Sequence, residues 1–92
     1  MTRYLTVHVT QEDIELGLPI APVACPLARA IRRAGYPRVY VPDSRTWVPE
    51  ASLDGPSPRA TLSRAAGRFV RRFDTGKPVK PATFRLPLPG DA

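Results

Sequence analysis

The amino-acid sequence predicts an α+β fold: a small, mostly antiparallel four-stranded sheet with two amphipathic helices packed on one face, in the order β-α-α-β-β-α-β. Three observations predict it. Apolar and polar residues alternate near both ends of the chain, over residues 3–9 and 82–86, with the period of two that a half-buried strand requires. Residues 25–34 and 58–73 instead place their apolar side chains at helical spacing, with arginines on the opposite side. Between them, prolines bracket two short β-type runs.

Taken in order, residues 3–9 set Leu5, Val7 and Val9 against Tyr4, Thr6 and His8. Thr10 then reads as an N-cap, with Asp13 three residues on and Glu12 and Glu15 suiting a helix N-terminus. Gly17 and Pro19 limit that first helix to a turn or two. A proline-punctuated connector leads to Cys25-Pro26, where proline fits the first helical turn and Gly35 fits the position past the end. Within this second helix Leu27, Ala30, Ile31 and Ala34 share one face, with Arg29, Arg32 and Arg33 opposite.

Residues 38–41 and 46–48 flank Pro42-Asp43-Ser44-Arg45, which reads as a hairpin turn. After a surface loop, Ser57-Pro58 is expected to open the long helix, and Gly76 and Pro78 to close it. Leu62, Ala65, Ala66, Phe69, Val70 and Phe73 form its apolar side, while Arg64, Arg68, Arg71 and Arg72 gather on the other. Phe84 and Leu86 mark the last strand. The expected core is Leu5, Val7, Val9, Leu27, Ile31, Val39, Val41, Leu62, Phe69, Val70, Phe73 and Phe84. Residues 1–86 read as a single domain and residues 87–92 as a flexible tail.

A chain of 92 residues makes one domain near the lower limit of independent folding. A single cysteine permits no internal disulfide, and with one histidine there is no zinc-type cluster. These counts suit a reducing, intracellular setting. The alternating and soon acidic start is not the pattern of a secretory signal, and no apolar run approaches the roughly 18 residues of a membrane span. The net charge of +6 favours an anionic partner, either nucleic acid or an acidic protein surface. Arginine outnumbers lysine twelve to two, in part the mark of a GC-rich genome. Its planar fork nevertheless suits bidentate contact with phosphate or carboxylate.

Four groups of residues are candidates for chemistry. A solvated helix face in an arginine-rich chain accounts for much of the row Arg64, Arg68, Arg71 and Arg72. It leaves unexplained why residues 58–73 hold five arginines and no acidic residue. Glu–Arg pairs at i, i+4 would contribute about 0.2–0.5 kcal/mol each, and like charges at that spacing cost a similar amount. Cys25 stands at a helix N-terminus, where the dipole favours thiolate, and His8 could act as its base. With no third group to orient the histidine, a small buried structural cysteine is the simpler reading. Tyr4, Tyr36, Tyr40 and Trp47 could form a stacking platform, although core-edge packing explains them more simply and the glycine-aromatic strand motif of RNA-binding sheets is missing. Glu12, Asp13 and Glu15 are explained by capping more simply than by a metal.

Five stretches carry a family resemblance: residues 9–14 (Val-Thr-Gln-Glu-Asp-Ile), 25–31 (Cys-Pro-Leu-Ala-Arg-Ala-Ile), 66–69 (Ala-Gly-Arg-Phe), 73–79 (Phe-Asp-Thr-Gly-Lys-Pro-Val) and 84–86 (Phe-Arg-Leu). In these the chain resembles a family of small, mostly uncharacterised proteins of tailed phages and prophages of GC-rich bacteria. The resemblance implies a phage origin and the cytoplasm of a bacterial host, but supplies no activity and no site residue. Small phage proteins of this size often bind and inhibit or modulate a host machine. The expectation is therefore a non-enzymatic accessory protein that binds a host nucleic-acid-handling complex, or nucleic acid itself, through Arg29, Arg32, Arg33, Arg64, Arg68, Arg71 and Arg72. No cofactor, metal or membrane is expected to take part. The alternative is a structural or assembly component of a phage particle, and a Cys25-dependent enzyme is a distant third.

Overall fold

The computed structural model describes residues 3–52 and 54–89. Its elements are β1 (Tyr4–Val9), α1 (Gln11–Leu16), α2 (Pro26–Arg33), β2 (Thr46–Trp47), β3 (Ala60–Thr61), α3 (Arg64–Asp74) and β4 (Ala82–Pro87). The class is α+β, but the strands form two separate two-stranded antiparallel sheets and not one sheet of four. In the first, β1 pairs with β4 along its whole length, Val7 opposite Phe84 and Leu5 opposite Leu86. In the second, Thr46 and Trp47 of β2 face Thr61 and Ala60 of β3.

The expected strand at 38–41 shrinks to one bridge, in which Tyr40 and Val48 exchange N–H···O bonds of 2.9 and 2.7 Å. Its neighbours' amides are committed elsewhere, Val39 N–H to the Tyr36 carbonyl and Val41 N–H to the Pro22 carbonyl. Pro37, Pro42 and Pro49 have no N–H to extend the ladder. The long helix also starts later than Ser57-Pro58 suggests. Ser57 Oγ accepts from the Ser52 N–H, Ala60 and Thr61 are in β3, and Leu62 N–H donates to the Arg45 carbonyl. Ser63 is the cap, its hydroxyl accepting from Ala66 N–H at 3.2 Å.

The other two helices form as read. Thr10 and Asp13 make a reciprocal capping box, Cys25 caps α2 ahead of Pro26, and Gly35 follows α2 with φ +116°. The last strand runs one residue further than expected, Pro87 lying opposite Tyr4, and Leu88 N–H then donates to the Arg3 carbonyl. Of the expected flexible tail, residues 90–92 lie outside the described residues.

One face of the β1–β4 ladder supplies Val7, Val9, Phe84 and Leu86 to a cluster with Leu27 and Ile31 of α2 and Phe69 and Val70 of α3. Both helices thus pack on that face, with the rings of Phe69 and Phe84 edge to face at 5.5 Å. Of the expected core, Leu5 and Phe73 are only half-buried. Trp47 and Leu86, absent from it, are completely buried. Trp47 Nε1–H donates to the Pro87 carbonyl at 3.2 Å, so the polar edge of the indole is satisfied where its rings are packed.

Asp13 is the one charged residue buried among the described residues. Its Oδ2 accepts from Thr10 N–H at 2.9 Å, while Arg33 donates Nη1 to Oδ1 at 2.9 Å and Nη2 to Oδ2 at 2.6 Å. The second donor also reaches the His8 carbonyl at 2.7 Å. Arg29 Nε lies 3.4 Å from Oδ1, an ion pair without a hydrogen bond. Burial alone would raise this carboxyl; the Arg33 hydrogen bond, the Thr10 amide and the Arg33 charge outweigh it and hold the group at about 2. Because the folded value lies below the ordinary 3.8, the unfolded chain takes up a proton first as pH falls. A stabilisation on the order of 2 kcal/mol is therefore present above about pH 4 and lost between about pH 4 and 2. Urea midpoints measured across that window should fall, and Asp13→Asn should be weaker at neutral pH and lack this part of the acid dependence.

Candidate anion-binding groove

The site is built where the turn at 42–45 meets α3. Asp43 Oδ1 accepts from the N–H groups of Arg45 and Thr46 at 2.7 and 2.9 Å, which shapes the turn. The Arg45 carbonyl then accepts from Leu62 N–H at 2.7 Å, tying the turn to the start of α3. Gly67 makes the approach possible, since a Cβ there would run into the Ser44 carbonyl oxygen. Glycine costs a helix interior about 1 kcal/mol relative to alanine, and here the packing of the turn requires it.

Between turn and helix lies an open groove of about 670 Å³. Arg45, Arg64, Arg68 and Arg71 line it together with Ser44, Thr61 and Ser63, above Leu62 and Gly67, and no carboxylate contributes. Arg64, Arg68 and Arg71 come from one face of α3 at i, i+4 and i+7. Arg45 arrives from the turn, which sequence periodicity along a helix has no means of revealing. Its one available signal was Asp43, whose carboxylate marks the turn that delivers it. Among the described residues, none of these four guanidinium groups has a hydrogen bond or ion pair. Ser63 is also the N-cap of α3, so the first amides of the helix and the positive end of its dipole lie at the same groove.

The remaining expected arginines serve the fold. Arg33 and Arg29 are drawn to Asp13, Arg32 donates Nη1 to the Val23 carbonyl at 2.7 Å, and Arg72 donates Nε and Nη2 to the Pro78 carbonyl at 3.3 and 3.0 Å. The seven expected partner-binding arginines therefore divide, three lining the groove and four holding internal oxygens. A helical wheel treats them alike because it shows direction and not what waits there.

The other candidates also resolve. Cys25 is buried, its Sγ accepts from Ala28 N–H at 3.4 Å, and burial, followed by the charge of Asp74, raises its thiol pKa. The thiolate expected from the helix dipole is therefore disfavoured, because desolvation outweighs the amides. His8 is exposed and its Nδ1 is 2.9 Å from Thr83 Oγ1. The aromatic platform does not form: Trp47 is inside, edge-on to Tyr36 at 6.3 Å, and Arg85 covers the Tyr4 ring at 4.3 Å. Of the acidic cluster, Asp13 turns inward and Glu15 accepts from Gln11 Nε2. Among the described residues, no three His, Cys, Asp or Glu side chains gather into a metal-type group, and no helix is long and apolar enough to cross a membrane.

Comparison of the chain with protein-family models, curated proteins and solved structures finds no match. The groove is thus read from its own chemistry. Four guanidinium groups without a partner among the described residues, three hydroxyl side chains and a helix N-terminus all favour negative charge. Its shape depends on Gly67: Gly67→Ala should destabilise the protein by about 1–3 kcal/mol, although alanine is the better helix former. A lower denaturant midpoint would establish the contact, and a raised one would show that the turn does not bear on the helix.

Proposed function

We propose that this protein is a non-enzymatic, phage-type accessory protein of the bacterial host cytoplasm that binds nucleic acid, or a host complex handling it, through the α3 groove. The observation that carries the reading is the convergence of Arg45, Arg64, Arg68 and Arg71 on one groove without an acidic residue. Like charges at this spacing repel, and an incoming polyanion relieves the repulsion while releasing its own counterions. Hydroxyl side chains beside arginines suit phosphate oxygens, the atoms that take most protein–DNA hydrogen bonds. The phage context rests on the resemblance at residues 9–14, 25–31, 66–69, 73–79 and 84–86, and suits a modulator or inhibitor of a host machine.

Salt dependence tests direct nucleic-acid binding. With four arginines on the phosphates of a duplex oligonucleotide, log K against log salt should slope by about −4. Arg64→Glu, Arg68→Glu and Arg71→Glu together should abolish binding and leave the unfolding midpoint near that of the parent. Capture from host lysate that survives nuclease but is lost in this triple variant would assign the groove to an acidic protein surface. Absence of oligonucleotide binding at low salt, with lysate capture unchanged in the triple variant, would remove the groove from the function.

A further inference from the structure

The β1–β4 ladder has only two strands, and its register shows which backbone groups of β4 point outward. Leu88 N–H donates to the Arg3 carbonyl at 2.8 Å, which makes Arg3 and Leu88 a hydrogen-bonded pair. Such pairs alternate along an antiparallel ladder, so Leu86, Phe84 and Ala82 bond back to β1, whereas Pro87, Arg85 and Thr83 turn their backbone groups away. Two contacts agree with that phase: the Pro87 carbonyl accepts from Trp47 Nε1–H, and on β1 the His8 carbonyl accepts from Arg33. Among the described residues, the N–H and C=O groups of Thr83 and Arg85 have no partner. Both residues are exposed, and water is the ordinary partner of such groups. The Arg85 side chain, a charge that could have guarded the edge, lies instead over the Tyr4 ring at 4.3 Å.

Beside this edge, between α3 and β4, lies a shallow hollow of about 310 Å³. Phe69, Val79 and Phe84 form its floor, and exposed Ala65 flanks them. Phe84 sits between Thr83 and Arg85, and no residue of β1 lines the hollow, so it opens on the side of β4 away from β1. Exposed Arg68, Arg72 and Lys80 surround it, and among the described residues no carboxylate does. Asp74, the one acidic residue of α3, is turned to the Ile20 N–H at 2.9 Å. Arg72 is held by the Pro78 carbonyl, a neutral acceptor that leaves its charge uncompensated.

An open strand edge beside a hollow suits an extended peptide that adds a strand: main-chain bonds give affinity and the hollow selects a side chain. The residue between two bonded positions of such a strand shares the face of Phe84 and so reaches the floor. The three cations select carboxylates around it. A second copy, itself of net charge +6, would be repelled by them. A phosphate backbone would satisfy the cations and leave the strand edge and the apolar floor unmatched.

We propose that the cleft between α3 and β4 receives an extended acidic segment of a partner protein, added as a strand on Thr83 and Arg85. An apolar side chain of that segment lies against Phe69 and Phe84, and aspartates or glutamates two residues away share its face and meet Arg68, Arg72 and Lys80. The cleft adjoins the groove through Arg68, which lines both, but the proposal does not rest on the groove binding nucleic acid.

The test selects binders to the full chain from a displayed library of random dodecapeptides and follows the enriched peptide by amide hydrogen exchange in NMR spectra. The expected peptide has an apolar residue with aspartate or glutamate two places before or after it. Its binding should slow exchange of the Thr83 and Arg85 amides about tenfold or more, which charge attraction alone does not do. Lys80→Glu and Ala65→Gln, one reversing a charge and the other filling the hollow, should each weaken binding by roughly tenfold. Both positions are exposed, so both variants should keep the parent unfolding midpoint. Arg45→Glu with Arg64→Glu, in the groove, should change peptide affinity by no more than about threefold, so the two sites fail separately. Selection of no peptide, or of peptides without acidic residues, would overturn the proposal, as would binding that leaves the Thr83 and Arg85 amides unprotected or survives Ala65→Gln. Protection of those amides by a duplex oligonucleotide would assign the cleft to nucleic acid and overturn it as well.

Discussion

The fold is organised around one carboxylate. Asp13 caps the first turn of α1, accepts both arms of the Arg33 fork from α2, and through that fork is joined to the His8 carbonyl near the end of β1. A single buried charge therefore sets the relative positions of a strand and two helices in a chain too small for a large core. Taking the Asp13 carboxylate out of water is expensive, and the geometry must repay it. A bidentate pair with an amide on the same carboxylate is the arrangement that does so. Losing Arg33 would leave a fully buried carboxylate short of its main counter-charge, whereas Arg33, half exposed, keeps its access to water if Asp13 is lost.

That demand also sorts the arginines. Those near a carboxylate or a backbone carbonyl are used within the molecule: Arg29 and Arg33 at Asp13, Arg32 at Val23, Arg72 at Pro78. Among the described residues, Arg45, Arg64, Arg68 and Arg71 have no such oxygen within reach. Their positive charge runs along α3 from Arg64 at its start to Arg71 in its last turn, and the dipole adds to it at the Arg64 end. The groove owes its electrostatic character as much to the acidic residues placed elsewhere as to the arginines placed in it.

Much of this was legible in the sequence wherever the cause is local. Thr10 with Asp13, Cys25 with Pro26, and the alternation of β1 and β4 depend on neighbours in the chain, and they form where their residue types indicate. The second sheet was not legible. Whether Ala60 and Thr61 join a helix or a strand is decided by Thr46 and Trp47, and Ser57-Pro58 offered as good a cap as Ser63. Trp47 could not be assigned to the core because its acceptor, the Pro87 carbonyl, is 40 residues away. At the candidate site, the α3 row was visible as a periodicity, whereas Arg45 came from a turn whose position rests on a single glycine. The contact of Ile20 was hidden for the same reason: nothing in a proline-rich connector says that its N–H will donate to the carboxylate of Asp74, 54 residues away.

The contact between Ser44 and Gly67 bears on how such a protein can diverge. Turn length and the residue at position 67 form one unit of change. Lengthening the turn at 42–45 would carry Arg45 off the groove, and a side chain at 67 would push the whole turn outward. The described residues between Val48 and Ala60 lie outside both ladders, so that stretch is the natural place for insertions. Descendants would be expected to vary in the size of that loop while the span from Asp43 to Thr46 keeps its length.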